Sequence, residues 1–410
     1  MSLQGGFGGF GGFGGFGGFG GFRGFGGFGG FGGFGAPGGF GPLGSGADPV
    51  TAQALVVNRD GIAGSWQGAK IALGALGADV AEHLARWEPW VRGTVLDFEL
   101  FSRLHFTDYV ERYTYKDSAT GNNKTKSARA MTLWHLDVDC QDPATTTPVP
   151  AATRPALSGL RVVSMVRPTL DIFKAQLDLV AGYADLREDR APEILAELTP
   201  PMPFWAAIAN LHPDRTKWTL ELVWLALRLA NHVEMRFKHA LACRRAVEYS
   251  PQIQPVLVTP GHGSLPSGHS TEAHIVAYVL WKLLREARAQ DLPWLEEIMR
   301  QAARVAINRT VAGFHFPVDS AAGQLLGLTL GEYLVHRCGG ATHYSAWRFD
   351  GERYGKADDF TWSEQYDTAS DAHTAAGFTD LVDASLATTS PAAGYDALGW
   401  LWKHALAEWT

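Results

Sequence analysis

Cysteine is scarce in this 410-residue chain: there are three, Cys140, Cys243 and Cys338. They are too few and too scattered for a disulfide framework, and none has the paired spacing of a zinc site, so a reducing compartment is expected. Long uncharged apolar runs are also missing. The most apolar stretch, WTLELVWLALRLANHVEMRF, is interrupted by Glu221, Arg228 and Glu234, whereas a membrane span needs about 20 apolar residues in a row. The opening MSLQGGFGGF lacks both the basic segment and the apolar run of a secretory signal, which makes a cytoplasmic protein the expectation. Nor is there a surplus of positive charge. A formal net charge of −7 argues against general binding to nucleic acid or to anionic membranes, since both rest on basic surfaces. A local basic site is still allowed.

A hydrophobic fraction of 46% and fourteen Trp residues point to a large folded core. The N-terminal tail is the exception. Residues 5–46 repeat Gly-Gly-Phe, broken by Arg23 and ending in GAPGGFGPLGSG, without the prolines that a collagen helix would use. We expect residues 1–46 to be disordered, with the spaced Phe residues acting as self-association points or with the tail simply passive.

Residues 47–160 read as an N-terminal extension of mixed character: a helix-like run at 68–87, a β-rich patch RLHFTDYVERYTY, and the polar loop KDSATGNNKTKS. The Pro/Thr-rich CQDPATTTPVPAATRPALSG marks a boundary near 160. Apolar residues then recur at helical spacing in 168–186, 216–246, 270–287, 293–308 and 317–337, giving a helical domain over 161–340. A C-terminal extension, 341–410, ends in an amphipathic stretch at 395–408.

Three patches in the helical block carry chemistry. Lys238 and Arg245 lie seven residues apart on a helical pattern, which would put two cations on one face about 10 Å apart. Taken alone, with Arg236 and Arg244 nearby, they read as a solvated basic face. GHGSLPSGHS, residues 261–270, places His262 and His269 on a tight turn ahead of a helix. Ser267 or Ser270 would cap that helix, Gly268 would allow close backbone approach, and Glu272 would stand in the first turn. NRTVAGFHFPVDS supplies Arg309, Gly313, His315 and Asp319. With Pro317 opening a helix, Asp319 can reach back to His315 and fix its tautomer. Together the patches offer cations, N–H donors and two imidazoles, a set suited to an oxyanion.

In this order, Lys238-x6-Arg245, PSGH at 266–269 and Arg309-x3-Gly313-x-His315-x3-Asp319 resemble the three-part signature of vanadium-dependent haloperoxidases and type 2 phosphatidic acid phosphatases. The resemblance covers roughly residues 160–340. It implies an all-α fold, a helical bundle with the oxyanion buried between helices, and vanadate as cofactor, with phosphate able to occupy the same site. By that pattern His315 would ligate vanadium, or attack phosphorus in a phosphatase. His269 would be the acid–base group, and Lys238, Arg245, Ser267, Gly268 and Arg309 would hold the oxygens, Lys238 also polarising bound peroxide. Asp319 and His262 would stand behind them, His262 beside the halide path at a place where bromide-oxidising members carry histidine. Ala246 and Asn308 depart from the pattern, where a Pro and a Ser are usual. The implied reaction is oxidation of halide, bromide favoured, by hydrogen peroxide, with transfer to a small organic acceptor. Two alternatives stay open: a soluble acid phosphatase working through a phosphohistidine, and an assembly protein whose folded part binds an anion.

Overall fold

A computed structural model of the chain describes residues 53–54, 57–58, 62, 80–116, 122–137, 158–288, 293–390 and 395–410. The tail at 1–46 and most of the linker at 140–159 lie outside the described residues, as does the start of the helix-like run at 68–87, of which Ala81–Arg86 forms a 3-10 helix. The chain divides after Arg86 into two compact units, and the elements that follow all lie in the second, Trp87–Thr410.

The described residues form helices α1 (Pro89–Phe101), α2 (Leu170–Gly182), α3 (Arg187–Ala196), α4 (Met202–Ala209), α5 (Lys217–Leu241), α6 (Ala246–Tyr249), α7 (Gly268–Arg288), α8 (Glu296–Val311), α9 (Pro317–Arg337) and α10 (Ala397–Ala407). Of these, α2, α5, α7, α8, α9 and α10 fall on the expected periodicities, whereas α1, α3 and α4 lie outside them and the stretch 216–246 ends as a helix at Leu241. In α5 the buried stripe of Leu222, Leu225, Leu229, Val233 and Phe237 follows the three- and four-residue spacing that turns one face to the core. Helix α9 differs, because it is buried on every side from Pro317 to Gly331 and so sits at the centre of the unit.

An all-α fold is not what forms. Five strands make one mixed sheet in the order β1 (Leu104–Lys116), β2 (Asn123–Asp137), β3 (Ser158–Val166), β4 (Tyr344–Asp350) and β7 (Thr379–Leu386), while β5 (Tyr366–Asp367) and β6 (Ala372–His373) make a second. Neighbours in the large sheet run antiparallel except β3 and β4, which pair in parallel from Val163 opposite Trp347 to Val166 opposite Asp350. The β-rich patch of the sequence is β1, and β3 is buried through Val162, Val163, Met165 and Val166 because α9 packs on β3 and β4. The sheet therefore draws strands from both sides of the helical block.

Glycines set the distance between α7 and α9. A Cβ at Gly323 would lie 2.6 Å from the Ser267 carbonyl oxygen, one at Gly327 2.5 Å from that of Thr271, and one at Gly331 2.8 Å from Tyr278 Cβ. Their four-residue spacing puts all three on one face, so α9 can press against the N-terminal half of α7 only while they carry no side chain. Gly327→Ala is therefore expected to destabilise the protein by about 1–3 kcal/mol through overpacking. Gly182→Ala, at the open end of α2 where nothing lies within 4 Å, should be neutral or stabilise by up to about 1 kcal/mol. Urea unfolding midpoints of the two variants check the contrast.

Candidate active site

Helix α5 delivers Lys238 into the core in its last turn, then stops. Ala242 takes a left-handed conformation, φ 48°, and its N–H donates to the Lys238 carbonyl, closing the helix after Leu241. Lys238 and Arg245 thus do not share one helix. Arg245 is placed by the turn that follows, as the residue capping α6, and both side chains are buried.

The Lys238 ammonium donates to the carbonyls of Gly263, at 3.4 Å, Ser264, at 3.2 Å, and Pro266. It pins the 263–266 turn. Arg245 reaches across: Nε donates to the His262 carbonyl at 3.2 Å and NH2 lies 3.1 Å from His262 Nδ1, while NH1 meets the Phe314 carbonyl and His315 Nε2, each at 3.0 Å. His262 is therefore in direct contact with a cradle cation.

His315 is held from its other side. Nδ1 lies 3.2 Å from Asp319 Oδ2, an oxygen that also accepts the Phe316 N–H at 3.0 Å and the Ser264 hydroxyl. Because the guanidinium can only donate and the carboxylate only accept, the proton sits on Nδ1 and the lone pair on Nε2. Asp319 reaches His315 because Pro317 opens α9 and returns the carboxylate to the helix start.

Ser267, rather than Ser270, caps α7: its hydroxyl accepts the Ser270 N–H at 3.4 Å, and its own N–H donates to the Asp319 carbonyl at 2.9 Å. Gly268 has no room for a side chain, since a Cβ there would lie 2.6 Å from Glu234 Oε1. Glu272 stands at the fifth position of α7, one place past the first turn where the sequence had suggested it. His269 Nε2 lies 3.0 Å from the carbonyl of Glu197, just past the end of α3, so that nitrogen carries the proton and Nδ1 does not.

Glu197 has a second task. Its Oε2 accepts Arg309 NH2 at 2.5 Å, and both side chains are fully buried. Among the described residues, Arg309 Nε and NH1 have no acceptor. Glu197, Ser264 and Glu234 escaped sequence reasoning. Glu234 alone left a usable signal, one turn before Lys238 on α5.

Residues 223–341, which span every one of these groups except Glu197, match the PAP2 superfamily. This segment is a PAP2-superfamily domain. That superfamily takes in vanadium haloperoxidases and type 2 phosphatidic acid phosphatases. Among solved structures, the chain is similar to the crystal structure of the first transmembrane PAP2 type phosphatidylglycerolphosphate phosphatase from Bacillus subtilis. The two are 23% identical over 40% of this chain and 80% of that one, with a TM-score of 0.25, too low to imply a shared arrangement. No curated protein matches. Among the described residues, no helix is long and apolar enough to cross a membrane.

The PAP2 domain concentrates positive charge in its buried interior. Burial lowers the Lys238 ammonium below its ordinary range, although Glu234 opposes the shift. Burial likewise lowers His269 and His315 well below the usual imidazole value, with Arg309 adding to the first and Arg245 to the second, and takes His262 to about 4. All three rings are neutral near pH 7. Burial also raises the carboxyls of Glu234, to about 7, and of Glu272, the second pushed further by the first. Asp319 rises to about 6 by burial, against the Ser264 hydroxyl and the Phe316 N–H, and is ionised at neutral pH. Three buried cations thus stand together with unused N–H donors on Arg309, an arrangement suited to an anion.

Anion binding should accordingly follow the charge on Lys238. Sulfate keeps one charge between pH 7 and 10, so any change in its affinity reports the protein. Because the lysine loses its proton below its ordinary value of 10.5, sulfate affinity is expected to fall as pH rises within that window. Lys238→Arg, which keeps its charge, should move the fall upward. Calorimetric titrations across the range test both.

Proposed function

We propose that the PAP2 domain is a vanadate-dependent haloperoxidase, with hydrolysis of a phosphoester as the competing reading. The observation that carries the proposal is the set of Lys238, Arg245 and Arg309, all buried and all acting electrostatically on His269, beside a His315 whose Nε2 bears a lone pair. A resident tetrahedral oxyanion fits these residues. Arg309 Nε and NH1 lack acceptors, Gly268 excludes a side chain, and the α7 amides at Gly268 and His269 open a helix that favours negative charge. His315 would ligate the metal while Arg245, Arg309, Ser267 and Gly268 hold the oxygens, with Lys238 supplying charge from beneath the turn.

When bound, vanadate would supply a Lewis-acidic centre at which hydrogen peroxide becomes an electrophile toward halide. His269 favours this reading over the phosphatase. A neutral imidazole whose Nδ1 is free accepts a proton from incoming peroxide, and its Nε2–H stays anchored on the Glu197 carbonyl throughout. A phosphatase asks the opposite of the same ring, a proton to donate to the leaving alcohol in the first step. Burial points the same way, because a closed cradle suits a resident ion with small co-substrates. Phosphoester cleavage is supported by His315 alone, whose Nε2 lone pair could attack phosphorus, with displacement of the alcohol and hydrolysis of the phosphohistidine by water. Bromide is the halide to try first, and His262 the residue to change for halide dependence.

Purified protein loaded with orthovanadate is expected to brominate a phenolic acceptor in the presence of bromide and peroxide. His315→Ala should lose both activity and retained vanadium. His269→Ala should retain vanadium and turn over about 100- to 10,000-fold more slowly. Strong hydrolysis of an aryl phosphate without vanadate, together with no bromination after loading, would replace this reading with the phosphatase.

A further inference from the structure

Asn308 is one of the two places where the chain departs from the family pattern, and its buried side chain is committed on every polar atom. Of the two N–H groups on Nδ2, one donates to Glu193 Oε2 at 3.0 Å and the other is shared between Glu197 Oε1 and Oε2 at 3.0 and 3.1 Å, while Oδ1 accepts Arg190 NH1 at 2.9 Å. The orientation of the amide is forced by its neighbours. A guanidinium only donates and must face Oδ1; carboxylates only accept and must face the N–H groups. Arg304 secures the outer carboxylate, gripping Glu193 at 2.7 and 2.8 Å and holding its pKa down to about 2.

On the inner side, Glu197 faces Arg309. An arginine and a carboxylate left to themselves form two parallel hydrogen bonds. Here one forms, from NH2 to Oε2, and Arg309 Nε and NH1 are left without a protein acceptor.

We propose that Asn308 is a positioning residue for the oxyanion. By engaging both oxygens of Glu197 it restricts the Glu197–Arg309 pair to a single contact and keeps Arg309 Nε and NH1 available to the anion. A serine at this place has one O–H to donate and cannot serve both oxygens of Glu197 together with Glu193. The inference rests on the oxyanion reading of the site, not on which reaction occurs there.

Calorimetric titration of the full chain with inorganic phosphate and with orthovanadate tests it, and thermal melting of each variant reports folding. Asn308→Leu is close in size and has no polar side-chain atom. It should bind either anion about tenfold more weakly, roughly the worth of one charge-assisted hydrogen bond, because Glu197 then draws a second guanidinium N–H to itself. Adding Glu197→Gln should restore affinity to within about threefold of the parent, since a neutral amide cannot hold the guanidinium that way. A residue needed only for folding would show no such rescue. Should Asn308→Leu fail to fold, Asn308→Ser carries the test, with a weaker loss and the same rescue. Unchanged binding in folded Asn308→Leu, or no recovery in the double variant, would overturn the proposal. Failure of the parent to bind either anion, or an Arg309→Ala variant that binds as tightly as the parent, would overturn the oxyanion reading itself.

Discussion

Burying positive charge is the constraint around which this site is built. Removing an ion from water costs several kcal/mol even after relaxation, and Lys238, Arg245 and Arg309 are each almost wholly removed. Each is compensated differently. Lys238 is surrounded by carbonyl oxygens of the 263–266 turn, Arg245 spreads its donors over two carbonyls and two imidazoles, and Arg309 meets a full carboxylate. The partners are dipoles and neutral rings more often than anions, so the interior is left with an appetite for negative charge. A helical core without that imbalance would pack as well and bind nothing.

Compensation also explains why the parts come from distant places in the chain. The carbonyls that stabilise Lys238 belong to the turn that carries His262 and Ser267. The carboxylate that orients His315 also fixes Ser264, and its backbone carbonyl accepts the Ser267 N–H. Each histidine is thereby tied to a cation through shared neighbours: His315 to Arg245 directly, His269 to Arg309 by way of Glu197. Ring orientation and charge placement are set by the same bonds.

Much of this was legible in the sequence, for identifiable reasons. Strong apolar periodicity marked the buried helices at 217–241, 268–288, 296–311 and 317–337, and Pro317 with Asp319 two residues on announced the contact to His315. The end of α5 was not legible, because the left-handed residue is Ala242 where a glycine would have given warning. Glu197 was invisible because its role depends on packing between α3 and α8, which share no local pattern. The all-α expectation failed where the family signature is silent. Strands β1, β2, β4 and β7 lie outside it, and their pairing is decided by partners far away in the chain.

Strands β3 and β4 lie side by side in parallel, yet Val166 and Tyr344, where one ends and the other begins, are separated by the whole PAP2 domain. Topologically the helices that carry the site are a single excursion that leaves the sheet and re-enters it next door. Pairing those two strands closes a loop of roughly 180 residues, an entropic cost that the packing of the intervening helices offsets. The sheet is thus a clasp that holds together the two ends of that excursion, and the buried site lies within the loop it closes.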